Sequence, residues 1–147
     1  GFGTILMEDC EIHGNDLMAL RSDYGSTWDG DIIVRRCTLK PYAHDKDVYI
    51  LSGSNDGSHD FGYPCKLPSS ITVEGLVIED EGVVSKEYKG PSVLSTFSRT
   101  KGMTEPFPYG TDCKVVLKDI TVKSGKPLKD APNQGAFEGL TVQRIDR

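Results

Sequence analysis

The segments TILMEDCEIH (4–13), DIIVRRCTLK (31–40), SITVEGLVIE (70–79) and KVVLKDITVK (114–123) stack in register when written beneath one another. One column holds Ile5, Ile32, Ile71 and Val115, and the next holds Met7, Val34, Val73 and Leu117. After a polar step come Cys10, Cys37, Leu76 and Ile120, then Ile12, Leu39, Ile78 and Val122. Mostly charged, small polar or glycine residues fill the places between. Alternation of apolar and polar residues at period 2, rich in Val and Ile, predicts half-buried β-strands. The polar step, Glu8-Asp9 in the first copy and Lys118-Asp119 in the last, predicts a bend that keeps both halves of each segment facing inward. Helix is a poor reading, because nothing recurs at i, i+3, i+4 and i+7 and glycines are spread throughout. GAFEGLTVQ (135–143) reads as a weaker further copy, with Phe137 set against Leu117, Leu140 against Ile120 and Val142 against Val122.

Working outward, a second unit recurs between these segments. NDLMAL (15–20) aligns with KDVYIL (46–51), which matches Asp16 with Asp47, Leu17 with Val48, Ala19 with Ile50 and Leu20 with Leu51. PSVLSTF (91–97) supplies another copy of the same strand. The first two copies run into similar turns, SDYGSTWDG (22–30) and SNDGSHDFG (54–62), in which Gly25 matches Gly57 and His59 takes the place of Thr27. Glycine reaches backbone angles other residues avoid, and Ser, Asp and Asn hydrogen-bond the local backbone. The two turns therefore read as one corner of successive repeats. The main segments begin 27, 39 and 44 residues apart, so the repeats carry loops of unequal length. Such spacing predicts a solenoid of about four to five coils, in which neighbours bury one another's apolar faces. It forms a single domain over 1–147, and its longest excursion is 81–111.

The totals agree with a folded domain. The chain has 147 residues, 37% hydrophobic and 27% charged, which is enough to bury a continuous core. Seventeen basic and twenty-two acidic residues give a net charge of −5 with no basic cluster, which argues against nucleic acid as a partner. Apolar runs are short, so no membrane span is expected, and GFGTILMEDC carries no signal-peptide pattern. The strand pattern starts almost at Gly1, as expected of a piece of a longer chain whose open ends self-associate.

The x-h-x-h-x-[D/G]-[C/L/I]-x-h pattern with unequal coils resembles the right-handed parallel β-helix of the pectin-lyase-like superfamily, over roughly residues 3–143. The superfamily includes polygalacturonases, pectate lyases, phage tailspikes and inert stalks. CEIHGNDLMALRSD (10–23) is similar to the polygalacturonase segment C-x-I-x-x-G-D-D-C-I-A-[LI]-K-S, whose adjacent aspartates cleave glycosidic bonds. Asn15 stands at the first of those positions and Asp16 at the second, and the family's Gly-His-Gly and Arg-Ile-Lys signatures have no match downstream. The resemblance implies an extracellular, cell-surface or virion-surface protein that meets a polysaccharide.

Asp16 and Arg21 are the candidate catalytic residues, as acid and as proton-abstracting base. Each has a plainer reading, Asp16 as a turn cap and Arg21, with Arg35 and Arg36, as an outward strand position. Candidate binding residues are Asp23, Tyr24, Trp28, Asn55, Asp56, His59, Asp60 and Phe61, with Tyr63 beside them, because aromatic faces among polar groups suit sugar rings. No cofactor is expected. Calcium would need several converging oxygens, drawn from Asp16, Asp47, Asp23, Asn55, Asp56 and Asp60. His13, His44 and His59 lie in different contexts without metal-ligand spacing. Cys10 and Cys37 share an inward column and read as small buried hydrophobes, while Cys65 and Cys113 are placed to meet at a corner. Serine-hydrolase, zinc-protease and Walker motifs are absent. The sequence thus points to a non-catalytic or degenerate polysaccharide-interacting module; the alternative is a lyase or glycoside hydrolase acting on an acidic polysaccharide.

Overall fold

The computed structural model describes residues 1–21, 26–54, 65–95, 109–110, 112–130 and 140–145, with Arg21, Ser54, Cys65 and Tyr109 described in backbone only. The chain begins with β1 (Phe2–Glu8), β2 (Glu11–His13) and β3 (Asp16–Arg21). A second set follows, β4 (Asp29–Arg35), β5 (Thr38–Lys40) and β6 (Tyr49–Ser54), and then the short β7 (Cys65–Lys66). The third set is β8 (Ser70–Glu74), β9 (Val77–Ile78) and β10 (Ser92–Leu94), followed by β11 (Tyr109–Gly110). The chain continues through β12 (Cys113–Lys118), β13 (Thr121–Val122) and β14 (Leu140–Ile145). Among the described residues there is no helix.

Corresponding strands of each set pair side by side, and every pairing is parallel. The sheets run β1-β4-β8-β12-β14, β2-β5-β9-β13, β3-β6-β10 and β7-β11. Register in the first two follows the sequence columns: Ile32 lies between Ile5 and Ile71, and Val34 between Met7 and Val73. Leu39 likewise pairs with Ile12 and Ile78. Like residues therefore sit beside like, and Val34, Leu39, Ile71, Val73, Leu76, Ile78, Val115 and Leu117 are all 0–1% exposed. Their side chains form one core together with Val48, Ile50, Leu51 and Val93 from the third sheet's side. Short parallel strands, apolar on the side facing the core, have no isolated stability, so this shared burial holds the sheets together.

The bend between the first and second sheets has a specific backbone cause. Asp9, Arg36, Gly75 and Asp119 occupy one column, and all have positive φ (56°, 52°, 69° and 55°). The ladder continues through this corner, with Asp9 N donating to Arg35 O, Arg36 N to Glu74 O and Gly75 N to Lys118 O. A left-handed residue turns the chain and returns the next apolar side chain to the core. Glycine takes that conformation without strain, whereas a side chain costs about 1–2 kcal/mol. Gly30 is constrained differently, because a Cβ there would lie 2.0 Å from the Gly3 carbonyl oxygen.

The structure corrects several alignments. β3 pairs with β6 through Asp16–Tyr49, Met18–Leu51 and Leu20–Gly53, two residues away from the Asp16–Asp47 match. A shift of two leaves the same face inward, so alternation does not distinguish the registers. Hydrogen bonds select one: Tyr49 N donates to Asn15 O at 2.8 Å, and the Ser52 hydroxyl donates to Asp16 Oδ2 at 2.7 Å. The copy at 91–97 does lie where expected, with Leu94 beside Leu51. The last copy instead sets Leu140 against Cys113 and Val142 against Val115, so it extends the first sheet rather than following Ile120 and Val122. Thr27 bridges to Lys66, and His59, its sequence counterpart, lies outside the described residues.

Cys10 is also corrected: it is exposed, whereas Cys37 is 1% exposed. β2 is the edge of its sheet, so Cys10 has a neighbour on one side only, while Cys37 is enclosed by the strands on both sides. β1 is likewise the edge of its own sheet, which leaves Ile5 41% exposed, against 0% for its column mate Ile71. Cys113 is a free, buried thiol in β12, and the Cys65 side chain lies outside the described residues.

Candidate functional site

Asp16 opens β3 and faces Tyr49, with its carboxylate held by the Ser52 hydroxyl. Among the described residues no second carboxylate stands opposite. Asp47 instead pairs with the Lys46 ammonium at 3.2 Å. The Asp16–Asp47 stack that would have called for a bridging cation is therefore not formed. Among the described residues no three His, Cys, Asp or Glu side chains converge on a metal position. Asn15 anchors a loop, because its side-chain oxygen accepts from Tyr42 N at 2.8 Å.

Arg36 is engaged structurally. Its Nε donates to Asp9 Oδ1 at 2.9 Å and its Nη2 to Glu8. Those carboxylates push the guanidinium pKa further up, while the Arg36 hydrogen bond holds the Asp9 carboxyl below the usual range. A guanidinium in this state is not a proton acceptor. Arg35 ends β4, half-buried, and the Arg21 side chain lies outside the described residues. His13 is exposed and bonds Glu11.

Of the candidate binding residues, Trp28 alone is described; Asp23, Tyr24, Asn55, Asp56, His59, Asp60 and Phe61 lie outside the described residues, as does Tyr63. Trp28 is half-buried just before β4, and its backbone N–H donates to Lys66 O at 3.2 Å. Its indole N–H is buried, and among the described residues no acceptor reaches it. A cavity of about 190 Å³ opens beside the ring, walled largely by apolar side chains including Leu20, Ile32 and Leu67. Lys66 at its rim bonds the Asp29 carboxylate, which lowers the Asp29 pKa.

A larger feature lies on the loop PYAHDKD (41–47). There Tyr42, 62% exposed, borders an open cleft of about 760 Å³ with His44, Asp45, Lys46, Ser85 and Glu87. The walls are tied together, with Val84 N donating to Ala43 O at 2.7 Å. A second, polar cleft of about 400 Å³ shares Lys46 and adds Tyr49, Ser92 and Lys129. Burial, then the Asp47 carboxylate, push the Tyr49 phenol pKa up. Sequence reading singled out only His44 here. The available signal was an aromatic between turn residues, followed by alternating charge, which is also the composition of an ordinary surface loop.

Comparison of the chain with family models, with curated proteins and with solved structures finds no match. The described residues offer an exposed tyrosine face, a half-buried tryptophan and two open clefts, one of them polar. Asp16 is held by Ser52, and the Arg36 guanidinium by Glu8 and Asp9. The arrangement is suited to holding an extended polar ligand by surface contact.

Proposed function

We propose that this chain is part of a right-handed parallel β-helix that binds a polysaccharide without cleaving it. The observation that carries this reading is the state of Asp16. The one aspartate retained from the hydrolase-like pair is hydrogen-bonded to Ser52, and the neighbouring place is held by Asn15, whose side-chain oxygen accepts from Tyr42 N. Cleavage of a glycosidic bond uses two placed carboxyl groups. A lyase would need a free base beside the sugar; of the arginines considered for that role Arg36 is occupied by Glu8 and Asp9, and the Arg21 side chain lies outside the described residues. The polysaccharide itself is taken from the resemblance at 10–23 and from the rings of Trp28 and Tyr42. With it goes a location outside cells or on a virion surface. In this reading the successive strand sets are coils, and aromatic-bearing loops display contacts along the stack.

Tryptophan fluorescence titrated with a polysaccharide panel tests the proposal, run beside assays for unsaturated products and reducing ends. The expected result is saturable binding that Trp28→Ala weakens and Asp16→Ala leaves intact, with neither product formed. Turnover abolished by Asp16→Ala would establish the enzyme reading instead.

A further inference from the structure

The open cleft of about 760 Å³ at Tyr42 is walled by two segments from successive strand sets, 41–47 before β6 and 81–87 before β10. Both walls are fixed by hydrogen bonds. Val84 N donates to Ala43 O at 2.7 Å, and the Asn15 side chain holds Tyr42 N. The second wall folds back on itself, with Tyr88 N donating to Ser85 O and Val83 N to Asp80 O, and buried Asp80 fastens it to Ser124. The cleft is therefore set before a ligand arrives. Tyr42, 62% exposed, gives it an aromatic face, and His44 and Ser85 add hydrogen-bonding groups. The charges around that face do not balance. The Lys46 ammonium is taken by Asp47 at 3.2 Å. Asp45 and Glu87 also line the cleft, and among the described residues neither has an ion-pair partner. A tyrosine face beside uncompensated carboxylates attracts a cation, through the ring quadrupole and through charge. By the same forces it repels a carboxylate.

We infer that this cleft binds an amino sugar with a free ammonium, as one unit of a hexosamine polymer. The sugar packs on the Tyr42 ring, and its ammonium faces the ring and the Asp45 and Glu87 carboxylates. The inference rests on the polysaccharide-binding reading and adds to it the class of sugar recognised. A neutral hexose meets the ring and the hydrogen-bonding groups but leaves the carboxylates uncompensated. A uronate adds a third negative charge beside them.

Calorimetric titration at neutral pH with trimers of glucosamine, glucose and galacturonate tests the order. The glucosamine trimer is expected to bind about fivefold tighter than the glucose trimer, the scale of a cation–aromatic contact with an exposed ion pair. The galacturonate trimer should bind weakest. Tyr42→Ala should weaken the glucosamine trimer, and Asp45→Asn with Glu87→Gln should bring it down to the affinity of the glucose trimer. Asp45→Asn keeps the oxygen that accepts from Asp47 N, so the loop retains that bond. Circular dichroism checks that the variants remain folded. A glucosamine trimer that fails to bind, binds no tighter than glucose or ignores Tyr42→Ala overturns the cleft assignment. Polysaccharide binding then still stands if a panel polymer binds. Trilysine binding as tightly as the glucosamine trimer assigns the cleft to a basic peptide and overturns the sugar. If neither the trimers nor the panel bind, both readings fall.

Discussion

Asp9 and Arg36 occupy successive places in one column, both with positive φ, and their side chains meet at 2.9 Å. Two residues that are unfavourable in this conformation are therefore neighbours, and the ion pair between them closes the outside of the bend they make. Gly75, next in the column, fills the same conformation without a side chain.

This arrangement separates backbone strain from charge pairing. Arg36→Ala removes the ion pair and keeps a Cβ in the left-handed conformation, whereas Arg36→Gly removes both. The glycine variant is expected to melt above the alanine variant, the reverse of the usual order in strands. Raising salt should narrow the gap between parent and alanine variant, since the pair is exposed. The depressed pKa of Asp9 adds stability present above its unfolded value near 3.8 and lost as pH falls through the folded value. In Arg36→Ala that acid-side loss should be smaller. Thermal melts from pH 2 to 7 at two salt concentrations provide the check.

Val34 is 1% exposed between Met7 and Val73, so Val34→Asp places an unpaired charge in the core and should unfold the protein. Ile33, one position along β4, belongs to the opposite face beside Leu6, which is 52% exposed. Ile33→Lys should fold normally. A Val34→Asp variant with the parent's melting temperature and circular dichroism would refute this assignment of faces.

The thiols should react in a fixed order. Cys10 is exposed and should label rapidly with a maleimide in the folded protein. Cys37 and Cys113 are buried, and burial pushes the Cys113 thiol pKa up to about 11, which removes thiolate at neutral pH. Peptide mapping after a short pulse should find label on Cys10 and none on Cys37 or Cys113 until denaturant is added. Labelling of Cys37 at the rate of Cys10 would contradict the packing of the second sheet.

Asp80 is 1% exposed and fully engaged: Ser124 donates to it from both N and Oγ, at 2.9 and 2.6 Å, and the Tyr88 hydroxyl donates as well. It fastens the segment after β9 to the turn after β13. Tyr88→Phe should cost about 1–2 kcal/mol by leaving a buried carboxylate short of one donor. Burial and Asp80 raise the Tyr88 phenol pKa above its ordinary value of 10.0. The folded state therefore keeps a proton that the unfolded state loses above pH 10, and stability falls as pH rises past that point. Denaturant melts at pH 8 and pH 11 should show a steeper loss for the parent than for Tyr88→Phe.

The strand columns of 4–13, 31–40, 70–79 and 114–123 were legible in the sequence because each inward place is apolar and each outward one mostly is not. A one-residue slip would have turned that pattern inside out. Two-residue slips carry no such penalty, so the pairing of β3 with β6 was beyond the reach of alternation. It is decided by Asn15 and Ser52, whose bonds exist only once the strands are side by side. The candidate site was less legible still. Of the residues singled out for binding, Trp28 lies among those described, and its unpartnered N–H and the cavity beside it come from strands far apart in the chain. The exposure of Cys10 and the engagement of Asp16 share this origin. Sequence alone determined which faces are apolar and that the strands repeat, since those follow from residue order. Neighbours, edges and hydrogen-bond partners belong to the tertiary structure, because they depend on what the rest of the chain places alongside.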